Sequence, residues 1–167
     1  MEIDMARKVF FSFHYIPDNW RASQVRQIGS IEGNQAISDN DWEKVTKAGD
    51  QAIKNWIAGQ MSGKSCEVVL IGAATAGRKW IKYEIEQAWN AKKGVVGIYV
   101  HHLRDANQQQ SIKGANPFSV FNINGTGLAS IVKAYDPPYS DSKQAHKYIA
   151  DNIESFVEEA ITIRGEF

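Results

Sequence analysis

Glu84 and Trp80 are the residues from which chemistry is most readily built. They lie one helical turn apart in Arg78-Lys79-Trp80-Ile81-Lys82-Tyr83-Glu84-Ile85. The stretch follows an apolar, strand-like run and a Gly-rich turn, so it opens a helix at the carboxyl edge of a sheet, where open α/β folds bind ligands. At about 100° per residue, Ile81, Ile85 and Ala88 form the buried stripe of that helix, and Glu84 and Trp80 share its flank. A carboxylate bordering an apolar face is partly desolvated, which raises its pKa and its reactivity. Spacing alone leaves a second reading open, a border Glu that reaches out to water. A carboxylate with an aromatic neighbour at such an edge suits work on a sugar or a nucleotide.

A second group comes from Phe10-Phe11-Ser12-Phe13-His14. Phe10, Ser12 and His14 share one face at the end of a first strand, and Phe11 and Phe13 share the other. A first strand of this kind borders the ligand crevice, so Ser12 and His14 are candidate ligand contacts. Other chemistries fail on residue type. Gly72-Ala-Ala-Thr-Ala-Gly77-Arg78-Lys79 sits where a P-loop would sit, but it has Arg and Lys where Lys and a hydroxyl residue are required. Backbone amides at that helix start, with Arg78, still suit a phosphate or pyrophosphate. No Gly-x-Gly-x-x-Gly or Gly-x-Ser-x-Gly pattern exists. No Cys or carboxylate cluster has metal-ligand spacing, so no metal is expected. His101 and His102 are adjacent, and on an extended chain their side chains diverge. Cys66, in mid-strand, reads as a small core residue, and Trp42 and Trp56 read as packing.

The elements that must position these groups alternate. Lys8–Phe13, Cys66–Ile71 and Val95–Val100 are apolar on both faces, as central parallel strands are. Helices are expected at about Trp20–Ile28, Trp42–Gln60 and Trp80–Lys92. A last helix, capped by Ser140 or Asp141, carries the stripe Ala145, Tyr148, Ile149, Ile153, Phe156, Val157 and Ala160. The breaker Pro17-Asp18-Asn19 ends the first strand and caps the first of these helices, a weak strand is expected around Gln35–Ile37, and a short one near Ala129–Val132. The polar segment from His101 to Gly127 lacks periodicity, which is unusual in a compact domain and is often a functional lid or rim. The order predicts an α/β fold with about five parallel strands and helices on both faces.

The bulk numbers agree. A chain of 167 residues, 43% apolar, with five tryptophans, six tyrosines and seven phenylalanines, builds a sizeable core, most simply as one domain over 1–167. Nineteen basic and nineteen acidic side chains cancel, which argues against a nucleic-acid partner. One cysteine fits a reducing compartment. No signal-peptide pattern and no apolar run of about 20 residues occurs, so no membrane partner is expected and the default location is the cytoplasm.

The first-strand motif Phe10-Phe11-Ser12-Phe13-His14-Tyr15, together with Arg78 to Ile85, resembles the bacterial TIR-like family that includes the TIR component of Thoeris anti-phage defence. The resemblance extends over nearly the whole chain, including Val-Leu-Ile-Gly before the turn and Asn116-Pro117-Phe118. It implies a flavodoxin-like TIR fold, and an enzyme that cleaves NAD at the nicotinamide–ribose bond. NAD would be the substrate, with no further cofactor. The product would be a cyclic or modified ADP-ribose signal that activates a partner effector. The resemblance makes Glu84 the catalytic residue. It places Phe10 and Asn116 at the substrate, where Trp80 or Phe10 would stack on a ring. It also implies homo-oligomers built through TIR–TIR contacts. Two departures mark a divergent branch: no Cys follows the Trp of the motif, and the second strand is weak. A non-catalytic module signalling by TIR–TIR association is the alternative. A receiver is disfavoured, because the first strand ends in Ser12-Phe13-His14 and not in an acidic cluster.

Overall fold

In the computed structural model, which describes residues 6–34 and 39–167, five parallel strands form one sheet in the order β2-β1-β3-β4-β7. These are β1 (Arg7–Ser12), β2 (Ile31–Gly33), β3 (Cys66–Ile71), β4 (Gly94–Tyr99) and β7 (Ala134–Tyr135). β3 and β4 are buried along their whole length, as their two-sided apolar pattern requires. The chain order reverses between β1 and β3. Their carboxyl ends therefore flank the switch point at which open α/β sheets take ligands.

Helices α1 (Tyr15–Arg26), α2 (Asp39–Lys47), α3 (Asp50–Met61), α4 (Lys79–Asn90) and α5 (Ser142–Gly165) complete the layers. One core joins Val9, Phe11, Val68, Leu70 and Ile98 to α1 and to the α5 stripe Ala145, Ile149, Ile153, Phe156 and Val157. The opposite core joins Phe10, Val69 and Ile71 to Ile53 and Ile57 of α3 and to Ile81, Ile85 and Ala88 of α4. Asp141 caps α5 by accepting a hydrogen bond from the Gln144 amide at 3.0 Å, which satisfies a donor that the first turn leaves open.

Four boundaries differ from expectation. α1 begins at Tyr15, directly after β1, because Pro17 falls in the first turn, where a missing N–H is tolerated. The expected single helix through Trp42 and Gln60 is two, broken at Gly49, whose φ of 97° suits glycine. The second strand is Ile31–Gly33; the expected strand at Gln35–Ile37 lies outside the described residues. The final strand is Ala134–Tyr135, and Leu128–Ser130 is a 3-10 turn.

The long segment 101–127 is tied down. It contains a 3-10 turn (Pro117–Val120) and a small hairpin of β5 (Asn122–Ile123) and β6 (Thr126–Gly127), and Leu103 and Phe118 are buried. Arg21 on α1 pins its first half. The buried guanidinium donates to the Leu103 carbonyl at 2.9 Å, the Gln109 carbonyl at 2.8 Å and Asp18 at 2.8 Å. Asp18 and Arg21 are 1% and 3% exposed, so removing the cation strands a buried carboxylate. Arg21→Ala is expected to cost about 3–5 kcal/mol, read as a lowered urea midpoint, with amide exchange accelerated in residues 101–111.

Candidate functional site

Ser12 stands at the carboxyl end of β1 with its hydroxyl on the face that α4 covers. Its Oγ lies 2.6 Å from Glu67 Oε2 and 3.0 Å from Glu84 Oε2. Glu67 comes from the middle of β3. In the strand register Ser12 pairs with Val69, so Glu67 is two residues back on the same face, a diagonal that a long side chain spans. Glu84 descends from the second turn of α4. Glu67, Ser12 and Glu84 are 0%, 1% and 7% exposed, and neither carboxylate is in an ion pair among the described residues. Burial pushes the Glu67 carboxyl up to about 8 against a hydrogen bond from Ser12. Burial pushes Glu84 up as well, and any charge on the neighbouring Glu67 would push it further.

Glu84 looks into a crevice of about 400 Å³ walled by His14, Tyr15, Trp42, Arg78, Lys79 and Trp80. A second crevice of about 770 Å³ adjoins it, sharing Tyr15, Ile16 and Trp42 and running along Trp20 towards Asn107. Both volumes fall in the range of small-molecule sites. Trp42 stacks on Tyr15 at 5.6 Å and meets Trp56 edge-on at 5.7 Å, so it forms part of the crevice wall as well as packing. Trp80 stands edge-on to Tyr83 at 5.5 Å, with the Lys79 ammonium 4.8 Å from its ring. Arg78 sits at the N-cap of α4, where open backbone amides and the helix dipole favour an anion. Burial, and then the Arg78 charge, push His14 down, against Asp18.

Of the six candidate residues, the crevice brings together Glu84, His14 and Trp80. The other three require correction. Phe10 is 1% exposed and packed among the aliphatic side chains of α3 and α4, so its ring does not line the crevice. Ser12 lies beneath Glu84 and holds carboxylates; it is not a crevice contact. Asn116 accepts a hydrogen bond from the Phe118 amide at 2.9 Å and caps the 3-10 turn at Pro117; it does not line the crevice at Glu84. Glu67 was missed. An acidic residue inside a strand that is apolar on both faces was the available signal, since neither face of a central strand offers water.

His101 and His102 do not diverge, because the chain turns as β4 ends; their ring centroids are 4.0 Å apart. With Asp136 they bring three potential metal-ligand atoms within 4.8 Å of one another. Lys113 already supplies a cation to Asp136, at 3.1 Å. Among the described residues no helix is long and apolar enough to cross a membrane.

A 2-1-3-4-5 parallel sheet, with a carboxylate from the helix after its third strand facing the switch-point crevice, defines a flavodoxin-like fold of the TIR type. Comparison with known proteins agrees. Residues 10–105 match the family described as Thoeris protein ThsB, TIR-like domain. A relative from Bacillus cereus (strain MSX-D12), "Putative cyclic ADP-D-ribose synthase ThsB1", is 32% identical over 149 residues, spanning 86% of this chain and 71% of the relative. The chain belongs to the ThsB TIR-like family.

The buried carboxyl pair gives a pH signature of stability. Glu67 has a raised folded pKa, so between 4.5 and about 8 the folded state binds more protons than the unfolded state. Its contribution is most favourable below 4.5 and is lost as pH rises towards about 8. Glu84 acts in the same direction. In urea unfolding, the stability of the wild type relative to Glu67→Gln should therefore fall across this window. A difference that stays constant with pH would contradict the buried pair.

Proposed function

We propose that this protein cleaves NAD at the nicotinamide–ribose bond and releases a cyclic or modified ADP-ribose signal for a partner effector in anti-phage defence. The observation that carries the reading is Glu84. It is a buried carboxylate without a cationic partner among the described residues, and it faces a crevice walled by aromatic rings and by Arg78. Membership of the ThsB TIR-like family and the cyclic ADP-ribose synthase named among the relatives point to the same substrate.

The chemistry needs little beyond that. Nicotinamide is a pyridinium while attached. When the C1′–N bond breaks, the electron pair leaves with nitrogen and neutral nicotinamide departs, so no general acid is required. Positive charge develops on the ribose as an oxocarbenium, as in glycoside hydrolysis. An ionised Glu84 beside the ribose stabilises that charge in a site where water is scarce and electrostatic interactions are strong. The cationic pyridinium also favours the ionised form of Glu84 on binding, offsetting the effect of burial. Trp80 offers an aromatic surface for a ring. Arg78 and the start of α4 offer charge and amides to the pyrophosphate. The adjoining crevice along Trp20 and Trp42 has room for the adenosine half. A folded-back dinucleotide there lets an internal nucleophile compete with water at C1′. That competition selects a cyclic product over plain ADP-ribose.

The alternative, a non-catalytic association module, is disfavoured by the crevice itself: a purely structural Glu84 would be expected in an ion pair with no cavity beside it. Two variants test the catalytic reading through nicotinamide release by purified protein. Glu84→Gln is expected to lower turnover by about 10²–10³-fold while leaving the fold intact. Arg78→Ala is expected to raise KM for NAD roughly tenfold with a smaller change in kcat, as loss of ground-state binding does. Full turnover by Glu84→Gln would overturn the proposal.

A further inference from the structure

Glu67 has no place in the reaction described so far, and its surroundings need explanation. A carboxyl at 0% exposure in the middle of a central strand is costly unless something compensates. Its Oε2 is 2.6 Å from Ser12 Oγ, and its Oε1 has no hydrogen-bond partner among the described residues. Ser12 is simultaneously 3.0 Å from Glu84.

The count of protons decides the arrangement. A serine hydroxyl has one proton to donate and two lone pairs to accept with. It therefore cannot donate to two carboxylates at once. With both glutamates ionised, one would face serine lone pairs across a buried hydrogen-bond distance. One carboxyl must then carry a proton and donate to Ser12 Oγ, which leaves the serine proton for the other.

The surroundings choose which. Glu84 borders the crevice, where His14, Arg78 and Lys79 stand, and Arg26 and Tyr15 lie on the α1 side of it. Glu67 lies on the apolar face of β3 that packs against α3 and α4, while Cys66, its neighbour in the strand, belongs to the core on the other face, where burial keeps its thiol protonated. Glu158 of α5 acts on that thiol from the far face, and Tyr99 of β4 belongs to the core on the Glu67 face of the sheet. Among the described residues no cation stands beside Glu67, so the charge belongs on Glu84 and the proton on Glu67.

We propose that Glu67 is a positioning residue: its protonated carboxyl donates to Ser12 Oγ, and the Ser12 hydroxyl donates to Glu84, fixing Glu84 as an oriented carboxylate facing the crevice. The chain runs Glu67 Oε2–H to Ser12 Oγ, then Ser12 Oγ–H to Glu84 Oε2. It supplies one strong donor to a carboxylate that has no other among the described residues. It also fixes the rotamer of Glu84 against the pull of an entering cation. Proton count is conserved: the pair holds one proton before and after turnover, and none is passed to substrate. Electrostatic repulsion is the cost of placing two carboxyls here, and the shared proton removes most of it. This inference deepens the NAD-cleaving reading and rests on it for its catalytic half only.

The test uses the full chain and has one readout that needs no NAD. Carboxyl ¹³C NMR follows the titration of Glu84, assigned by the signal lost in Glu84→Gln. In Glu67→Gln the amide donates to Ser12 in the same sense and, like the protonated carboxyl, carries no charge, so Glu84 should titrate as it does in wild type. The acid limb of the NAD pH–rate profile should likewise stay in place, with kcat largely retained. In Glu67→Met the donor is gone and Ser12 is free to turn. There kcat should fall by roughly a hundredfold, the order expected when a reacting group is misplaced by about 1 Å, with a smaller change in KM. A Glu84 titration displaced to lower pH in Glu67→Gln, which would put the charge of the wild-type pair on Glu67, or a kcat in Glu67→Met equal to that of Glu67→Gln, would overturn the proposal. If Glu67→Met does not fold, the Glu67→Gln titration decides alone. If no variant or wild type turns over NAD, the titration still decides, and only the proposed reaction falls.

Discussion

Two carboxyl groups that share one serine hydroxyl, inside a protein, impose more on this molecule than any other contact. Burial and mutual repulsion both disfavour the ionised pair, so the elements carrying the pair must be held together by something else. They are held by the sheet. β1 brings Ser12 and β3 brings Glu67 through an in-register parallel pairing that slips only if every side chain on both strands changes face. α4 brings Glu84 because Ile81, Ile85 and Ala88 are buried on the sheet below. The apolar packing thus sets the polar geometry, and the polar geometry costs stability that a plain core would keep. A local departure from good packing of this kind is what a functional site looks like in an otherwise consistent fold.

The crevice depends on the same scaffold. Its floor is the border of the α4 stripe. Its far wall is Tyr15 and Trp42, with Trp42 backed edge-on by Trp56 of α3 across the break between α2 and α3 at Gly49. Arg21 and Asp18 then fix the start of the long segment beside α1. That segment is consequently a built rim of the molecule: its backbone carbonyls satisfy a buried guanidinium, and Leu103 and Phe118 anchor it in the core.

The sequence made part of this legible, and the physical reasons separate the parts. β1, β3 and β4 are runs apolar on both faces, a pattern only a covered parallel sheet explains. α4 and α5 carry clean helical stripes, so the angle argument placed Glu84 beside the crevice correctly. β7 was misplaced because a two-residue strand has almost no pattern of its own. The break at Gly49 was missed because Trp42, Val45, Ala52 and Trp56 keep helical spacing across it. Phe10 and Asn116 came as site residues by family resemblance, whereas the geometry gives one to the core and the other to a cap. Ser12 stands on the expected face, but its hydroxyl is engaged by Glu67 and Glu84, because reading a strand face tells where a side chain points and not what already fills the space. Glu67 was the largest omission. It lay in plain view as the single charge in Cys-Glu-Val-Val-Leu-Ile, and a central strand has no wet face to receive it.

The central claim is that Glu84 breaks the nicotinamide–ribose bond of NAD to make a signal. It is tested most directly by mass spectrometry of small molecules from phage-infected cells carrying the wild type or Glu84→Gln. The account predicts an ADP-ribose-derived species, with matching nicotinamide release, in wild-type cells and its absence in the variant. The same species at the same level in both would contradict it.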